Sequence, residues 1–490
     1  MRVLFITSEI NPFSKTGGLA DVSESLPAAL AGLGCEVTVV TPFYRSAAVA
    51  LAASGLTAEA SDGPPIPIGG LPQPLRFRAV SRQGCRIVFA VHDGFYDRAG
   101  IYGQPGGGDY GDNVSRYAFL CRAGLAWAAA HGGTDIVHAH DWQTALAPVY
   151  LRSGVGGAAL ASARSVFTVH NLAYQGHAAA IEMATAGLDA ALFHPGGLEY
   201  YGGLNLMKGG LVFADAITTV SPSYAEEIQG PAAGSGLDGV LRAMRAKLRG
   251  ILNGIDVVRW NPATDADLPA HFDADQRDGK ALCKRALQAE SRLPSAPDAF
   301  LLAAIGRFDW QKGLPLICDA FRIVAPLGAQ LVVLGSGDPA IVAAVRGLAA
   351  QFPTQVAATV GFDEGLAHRI EAGADAFLMP SAYEPCGLSQ MYSQRYGTVP
   401  IVHATGGLRD TVADHTAARA AGGLGSGFSF TVFDAAHLAE AMLRAWRLFN
   451  RAPDTWHALQ RACMQIDHSW SRSAGEYVAL YESLRAPSPL

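Results

Sequence analysis

Lys15-Thr16-Gly17-Gly18-Leu19-Ala20-Asp21 and Arg307-Phe308-Asp309-Trp310-Gln311-Lys312-Gly313 each follow an apolar run, Val3 to Ile6 in the first case and Phe300 to Ile305 in the second. Each reads as a strand, a glycine-bearing loop and a helix start, with positive charge beside the unpaired N–H groups of that start. This is chemistry for an anion, and two such loops suggest two half-sites closing on a phosphorylated ligand. In the first loop Gly17 and Gly18 let a ligand approach the backbone and Lys15 adds a mobile cation; a plain strand–helix turn with a solvated lysine is the competing reading. In the second, Arg307 follows the strand end directly and Lys312 stands beside Gly313 at the helix start, where two cations usually answer an anion. Exposed charges on a βα loop are the alternative.

A third stretch, Pro380-Ser381-Ala382-Tyr383-Glu384-Pro385-Cys386-Gly387-Leu388-Ser389-Gln390, presents a carboxylate between a strand ending at Met379 and the next helix. Glu384 would repel phosphate. It can accept hydrogen bonds from sugar hydroxyls or stabilise positive charge developing at a carbon centre, or simply complement the helix dipole. His170-Asn171 ends the apolar strand Ser165–Val169, where both substrate contact and an Asx-type turn fit. In His138-Ala139-His140-Asp141 the two histidines share one strand face by alternation. No Glu-x-x-His or clustered Cys accompanies them, so they read as packed rings with Asp141 turning toward the ligand, and no metal is expected. Gly335-Ser336-Gly337-Asp338-Pro339-Ala340 fits a dinucleotide fingerprint after the strand Gln330–Leu334. The acid that should hold a ribose is absent from Thr354–Ala358, so the segment reads as a tight turn and not as a redox site. Asp265-Ala266-Asp267 and Asp273-Ala274-Asp275 have the spacing of a metal–diphosphate pair, but they fall in a polar connector rather than at a strand end.

The elements that must carry these residues alternate persistently. Val3–Thr7, Glu36–Thr41, Ile136–Ala139, Ser165–Val169, Ala216–Val220 and Gly250–Leu252 read as strands, and Gly18–Leu33 as a helix with Val22, Leu26, Leu30 and Leu33 on its apolar face. After a polar connector from about Ile255 to Arg277 the pattern restarts with Phe300–Ile305, Gln330–Leu334, Val356–Val360, Ala376–Met379 and Pro400–Val402. Near-continuous apolar strands alternating with helices imply an α/β protein of two doubly wound domains in tandem. The 490 residues are too many for one ordinary core, and half are hydrophobic. A net charge of −6 without a long basic run gives no sign of a nucleic-acid or membrane-surface partner. Seven scattered cysteines, no leader segment and no spanning apolar stretch point to the cytoplasm.

Together the segments resemble bacterial glycogen synthases and plant starch synthases. The marks are KTGGLADV from Lys15, HAHDW from His138, TVHNLAYQG from Thr168, NGID from Asn253, GRFDWQKG from Gly306, PSAYEPCGLSQ from Pro380 and TGGLRDTV from Thr405, in this order over nearly the whole chain. The resemblance implies the GT-B architecture: an acceptor-side Rossmann-like domain over 1–255, a nucleotide-sugar domain over 256–468 facing it across a central cleft, and a final helix within 469–490 returning to the first. It implies retaining transfer of glucose from ADP-glucose to the non-reducing end of an α-1,4-glucan, with no cofactor and no metal. Lys15, Gly17 and Gly18 would contact the diphosphate and sugar, Arg307 and Lys312 the leaving ADP, Glu384 the transferred glucose, and His170 and Asn171 would orient that sugar. Gly387, Leu388 and Ser389 would reach the phosphates and Phe362 would stack on adenine. Glu9, Asp21, Tyr96 and Asp141 would shape the acceptor side. Phe362 and Ser389 stand where the family often has Tyr and Thr. A UDP-glucose donor, another acceptor, or a non-catalytic glucan-binding homologue are the alternatives, and the sequence is silent on oligomeric state.

Overall fold

The computed structural model describes residues 1–486, in two compact units. The first takes Met1–Gly254 together with the chain from Trp470 on, and the second takes Ile255–Ser469.

The strands of the first unit are β1 (Arg2–Ile6), β2 (Glu36–Pro42), β3 (Glu59–Ile68), β4 (Leu71–Arg82), β5 (Cys85–Val91), β6 (Ile136–His140), β7 (Arg164–Val169), β8 (His177–Ala178), β9 (Glu199–Tyr200), β10 (Gly203–Asn205), β11 (Ala216–Thr219) and β12 (Leu248–Gly250). Nine of them form one sheet in the order β12-β11-β7-β6-β1-β2-β5-β4-β3. Its pairings are parallel except for the β3–β4–β5 meander at one edge. The apolar strand Val3–Ile6 is fully buried, and Val22, Leu26 and Leu30 of the helix Gly18–Gly32 face the sheet at helical spacing. The strand expected at Gly250–Leu252 lies two residues earlier, where Leu248 pairs with Ile217. β8, β10 and β9 make a separate three-stranded sheet.

The chain order across the large sheet reverses between β1 and β6. Ligands of open α/β sheets bind outside the carboxyl ends of strands at such a point. The segments leaving β1 and β6 carry Glu9 to Asp21 and His140-Asp141. The helix Trp470–Arg485 completes this unit's core with Trp470, Tyr477 and Tyr481. The hydroxyl of Tyr481 lies 2.7 Å from His138 Nδ1, whose other nitrogen lies 2.6 Å from Thr168 Oγ1. His138 and His140 both pack on Phe5.

The second unit holds β13 (Leu301–Phe308), β14 (Gln330–Gly337), β15 (Val356–Val360), β16 (Ala376–Met379), β17 (Val399–His403) and β18 (Phe428–Phe430), all parallel, in the order β15-β14-β13-β16-β17-β18. Here the order reverses between β13 and β16, so the end of β13 with the turn after it, Arg307–Lys312, and the segment bearing Glu384 follow neighbouring strands at a ligand-binding position.

Two expectations are corrected. β13 extends past Ile305, so Arg307 is inside the strand and not beyond its end, and Gly335-Ser336-Gly337 continues β14 and is not a turn. The pairs Gly306–Gly335, Arg307–Ser336 and Phe308–Gly337 extend the ladder. A Cβ on Gly335 would stand 1.9 Å from the Gly306 carbonyl oxygen, and only glycine permits that approach.

The polar connector is not a loose linker. Leu268 and Phe272 form a satellite core with Cys283, Tyr396 and Met464. The buried Asp265 Oδ2 accepts from Tyr396 OH at 2.5 Å and lies 2.7 Å from His368 Nδ1. All seven cysteines are buried thiols, not disulfide-bonded. Burial pushes the Cys85 and Cys318 thiols up to about 11 and those of Cys121 and Cys463 up to about 12. No described helix is long and apolar enough to cross a membrane.

Candidate active site

In the first unit the segment after β1 folds around Glu9, which is 2% exposed. Its carboxylate accepts from Thr16 Oγ1 at 2.6 Å, from the Gly17 N–H at 3.3 Å, and from the Thr16 N–H and the Tyr102 hydroxyl. The N–H groups before the helix Gly18–Gly32 therefore already hold a carboxylate, which arches the KTGG loop over Glu9 and sets its shape. Gly17, the N-cap, has extended backbone, and a Cβ on it would meet nothing within 4 Å. The fold does not need a glycine there. Lys15 Nζ lies 2.6 Å from Asp21 Oδ1, with the lysine side chain 39% exposed.

The tip of β6 supplies the opposite wall. Asp141 takes a left-handed conformation at φ 56°, and its Oδ1 accepts from the His170 N–H at 2.7 Å and the Asn171 N–H at 3.4 Å. Burial pushes the Asp141 carboxyl up to about 7, against the lowering effect of those two bonds, and the charge of Glu9 adds to the rise. His170 Nε2 lies 3.0 Å from His140 Nδ1, and burial pushes His170 down to about 3. The rings are therefore neutral at ordinary pH, one donating and the other accepting. Asn171 Oδ1 accepts from the Ala173 N–H at 3.0 Å, the Asx-turn arrangement, while Asn171 Nδ2 makes no hydrogen bond among the described residues.

Tyr96 is a correction. It is 0% exposed, and its hydroxyl donates to the Arg116 carbonyl at 2.7 Å, so it offers no atom to a sugar. The tyrosine at the site is Tyr102, six residues on, between Ser8 and Glu9. Arg116 fixes this stretch by donating to the carbonyls of Phe95 and Ile101, both at 2.8 Å. Sequence reasoning missed Tyr102 because its partner is Glu9 on a distant segment.

In the second unit Lys312 Nζ donates to Glu384 Oε2 at 2.6 Å, and Ser381 Oγ donates to the same oxygen at 2.9 Å. Glu384 is 6% exposed, and the bonds from Lys312 and Ser381 both fall on its Oε2. Arg307 pairs with Asp309 at 2.9 Å and bonds Gln311 Oε1 at 3.2 Å, but its side chain remains 56% exposed. Asp309 caps the one-turn helix Trp310–Lys312 by accepting from the Lys312 N–H at 3.0 Å. The Glu384 loop rests on Thr405-Gly406-Gly407, whose glycines had no assigned role in the sequence reading. A Cβ on Gly406 would stand 2.0 Å from the Glu384 carbonyl oxygen, and Gly406 has φ 45°. Gly387 (φ 73°) and Leu388 lead into the helix Ser389–Arg395, with Ser389 its first residue. Phe362, after β15, projects with 85% of its surface exposed.

Among the described residues, Asp265, Asp267 and His368 bring ligand atoms within 4.8 Å of one another. Asp265 Oδ1 accepts from the Asp267 N–H at 3.0 Å and Oδ2 is engaged by His368 and Tyr396, so this Asp-x-Asp pins the connector.

The chain matches the starch synthase catalytic domain family over residues 2–243 and the glycosyl transferases group 1 family over residues 288–448. It is similar to a glycogen synthase of Anaeromyxobacter sp. (strain Fw109-5), 48% identical, covering 99% of this chain and 100% of that protein. Among solved structures it is similar to the catalytic domain of starch synthase IV from Arabidopsis thaliana bound to ADP and acarbose, with TM-score 0.89, 34% identity and 99% of each chain covered. A sucrose-phosphate synthase from Thermosynechococcus elongatus shares the fold alone, with TM-score 0.60, 19% identity, and 99% and 98% of the two chains covered.

Proposed function

The chain belongs to the glycogen and starch synthase family of glycosyltransferases, and from that premise we propose that it transfers glucose from ADP-glucose to the non-reducing end of an α-1,4-glucan with retention of anomeric configuration. The observation that carries this reading is the Lys312–Glu384 pair with Arg307 beside it, at the reversal point of the second sheet. As the glycosidic bond breaks, negative charge builds on the departing diphosphate and positive charge on the anomeric carbon. Arg307 and Lys312 answer the first, and the Glu384 carboxylate answers the second. Lys312 holds Glu384 Oε2, which leaves Oε1 to accept from a sugar hydroxyl.

ADP as the nucleotide is supported by the related starch synthase, whose structure holds ADP. Phe362 offers an exposed face for adenine, and Gly387, Leu388 and Ser389 stand at a helix start suited to phosphate oxygens. On the first unit, open space before Gly17 admits the sugar diphosphate and Lys15 adds charge. His170 and the Nδ2 of Asn171 orient the glucose, and Asp141 and Glu9 shape the acceptor side with Asp21 behind Lys15. Attack on the face of departure, assisted by the diphosphate, is favoured over a covalent Glu384 intermediate by the kinship with glycogen and starch synthases. Seven buried thiols without a disulfide are in line with a cytoplasmic location.

Incubation with ADP-glucose or UDP-glucose and a maltooligosaccharide, with a chelator present, tests the reading. Chain extension from ADP-glucose without added metal is expected; no extension from either donor overturns it.

A further inference from the structure

The hairpin joining β9 to β10 carries an unusual residue. Tyr200 pairs with Gly203, so Tyr201-Gly202 forms a two-residue turn with φ 49° and 82°. Such turns favour Asn or Gly at the first position, and a bulky residue at positive φ is a genuine outlier. Tyr201 is also 90% exposed. Its ring meets Tyr200 edge to face with centroids 4.7 Å apart, and Tyr200 in turn lies 5.4 Å from His177 on β8. The fold thus holds a strained tyrosine in solvent at the end of a run of three rings. An outlier of this kind points to function rather than stability.

The run is tied to the candidate site of the same unit. A Cβ on Gly176 would stand 2.4 Å from the Trp142 ring, so the backbone before His177 packs closely against the indole that follows Asp141. The Gly176 carbonyl accepts from the Leu206 N–H at 3.2 Å, which fixes β10 to the same strip. Asp141, Trp142, Gly176, His177, Tyr200 and Tyr201 are therefore linked by neighbouring contacts, from the buried Trp142 to the exposed Tyr201. Rings at its outer end suit the flat apolar faces of pyranose units, and their polar edges suit sugar hydroxyls.

We propose that His177, Tyr200 and Tyr201 form an outer glucan-binding surface that holds the body of the acceptor chain while its end is extended. This rests on the transferase reading above. The test compares wild type with Tyr201→Asn, a substitution that suits the turn, using glycogen and maltotriose as acceptors. The KM for glycogen should rise about five- to tenfold, the worth of one aromatic contact. That for maltotriose should change far less, kcat should hold, and the melting temperature should stay level or rise. Retardation of the variant in amylopectin-containing native gels should weaken, and Tyr201→Trp should restore it. An unchanged glycogen KM, or an equal loss with both acceptors, overturns the proposal. So does a wild-type dimer that Tyr201→Asn turns into a monomer, which would make the patch a contact between copies. If wild type transfers no glucose but its gel retardation is still lost in Tyr201→Asn, the transferase reading fails and the glucan surface stands.

Discussion

Lys312 and Glu384 illustrate how one contact serves two charges. In the proposed reading the lysine keeps a carboxylate tolerable beside a diphosphate, and the carboxylate keeps the ammonium from wandering. Removing the ammonium leaves Glu384 to repel the leaving group. Lys312→Ala should therefore lower kcat by on the order of a hundred- to a thousand-fold, equivalent to about 2.7–4 kcal/mol of barrier, measured with saturating ADP-glucose. A folded variant with near-normal turnover would remove Lys312 from the chemistry. Tyr96→Phe should behave oppositely: it loses one buried hydrogen bond, costs about 1 kcal/mol in denaturant unfolding and leaves the KM for acceptor unchanged. The placement of Lys312 and Glu384 was legible in the sequence because each stands in a short segment after an apolar strand. Tyr102 was not, since nothing local marks which of Tyr96, Tyr102 and Tyr110 reaches Glu9. Their sorting depends on Arg116 and the loop it clamps.

At the scale of elements, glycines divide into those the backbone requires and those it does not. Gly406 is required: φ 45° and a 2.0 Å approach to the Glu384 carbonyl leave no room for a methyl group. Gly406→Ala should lower the melting temperature and displace Glu384, with turnover falling even in the folded fraction. Gly17→Ala separates fold from function. Its backbone is extended and the space before it is empty, so it should melt like wild type. It should nevertheless bind ADP-glucose at least about tenfold more weakly, because the added methyl group occupies the ligand's approach. Equal donor affinity in the two proteins would show that no ligand comes near Gly17. The same distinction explains where strand ends were misread. Gly306, Gly335 and Gly337 carry the local signature of turns, yet they extend β13 and β14 by letting two backbones close in. Sequence patterns register a glycine's freedom but not the neighbour that makes use of it.

At the scale of the whole molecule, buried histidines govern the response to acid. Burial holds His138 and His140 well below the usual imidazole range, His170 near 3 and His468 near 4. The unfolded chain binds more protons than the native one below about pH 6.5, so stability present at neutral pH falls as pH drops through the window toward those folded values, with a slope of about 1.4 kcal/mol per pH unit for each histidine. Asp141 acts in the opposite sense. Its raised carboxyl makes the native state bind the extra proton, so its contribution falls as pH rises from the ordinary aspartate value toward 7. Melting temperatures should accordingly drop from pH 7 to pH 5. Asp141→Asn should raise them at pH 8 and make the acid loss steeper; a flat profile in both proteins would contradict the burial of these groups. The two doubly wound sheets were legible in the alternation of apolar strands and helices. The buried polar connector was not, because Asp265 earns its place only through His368 and Tyr396, about a hundred residues or more downstream.

The helix Trp470–Arg485 gives the first unit a split pedigree. Its core takes Tyr477 and Tyr481 from a stretch that follows the entire second unit in the chain. On the ribosome, the opening 254 residues must wait, with His138 lacking its tyrosine partner, until everything after them has emerged. The lobe synthesised first is thus the last to be completed, and a nascent chain stalled before Trp470 is where chaperones should be found waiting.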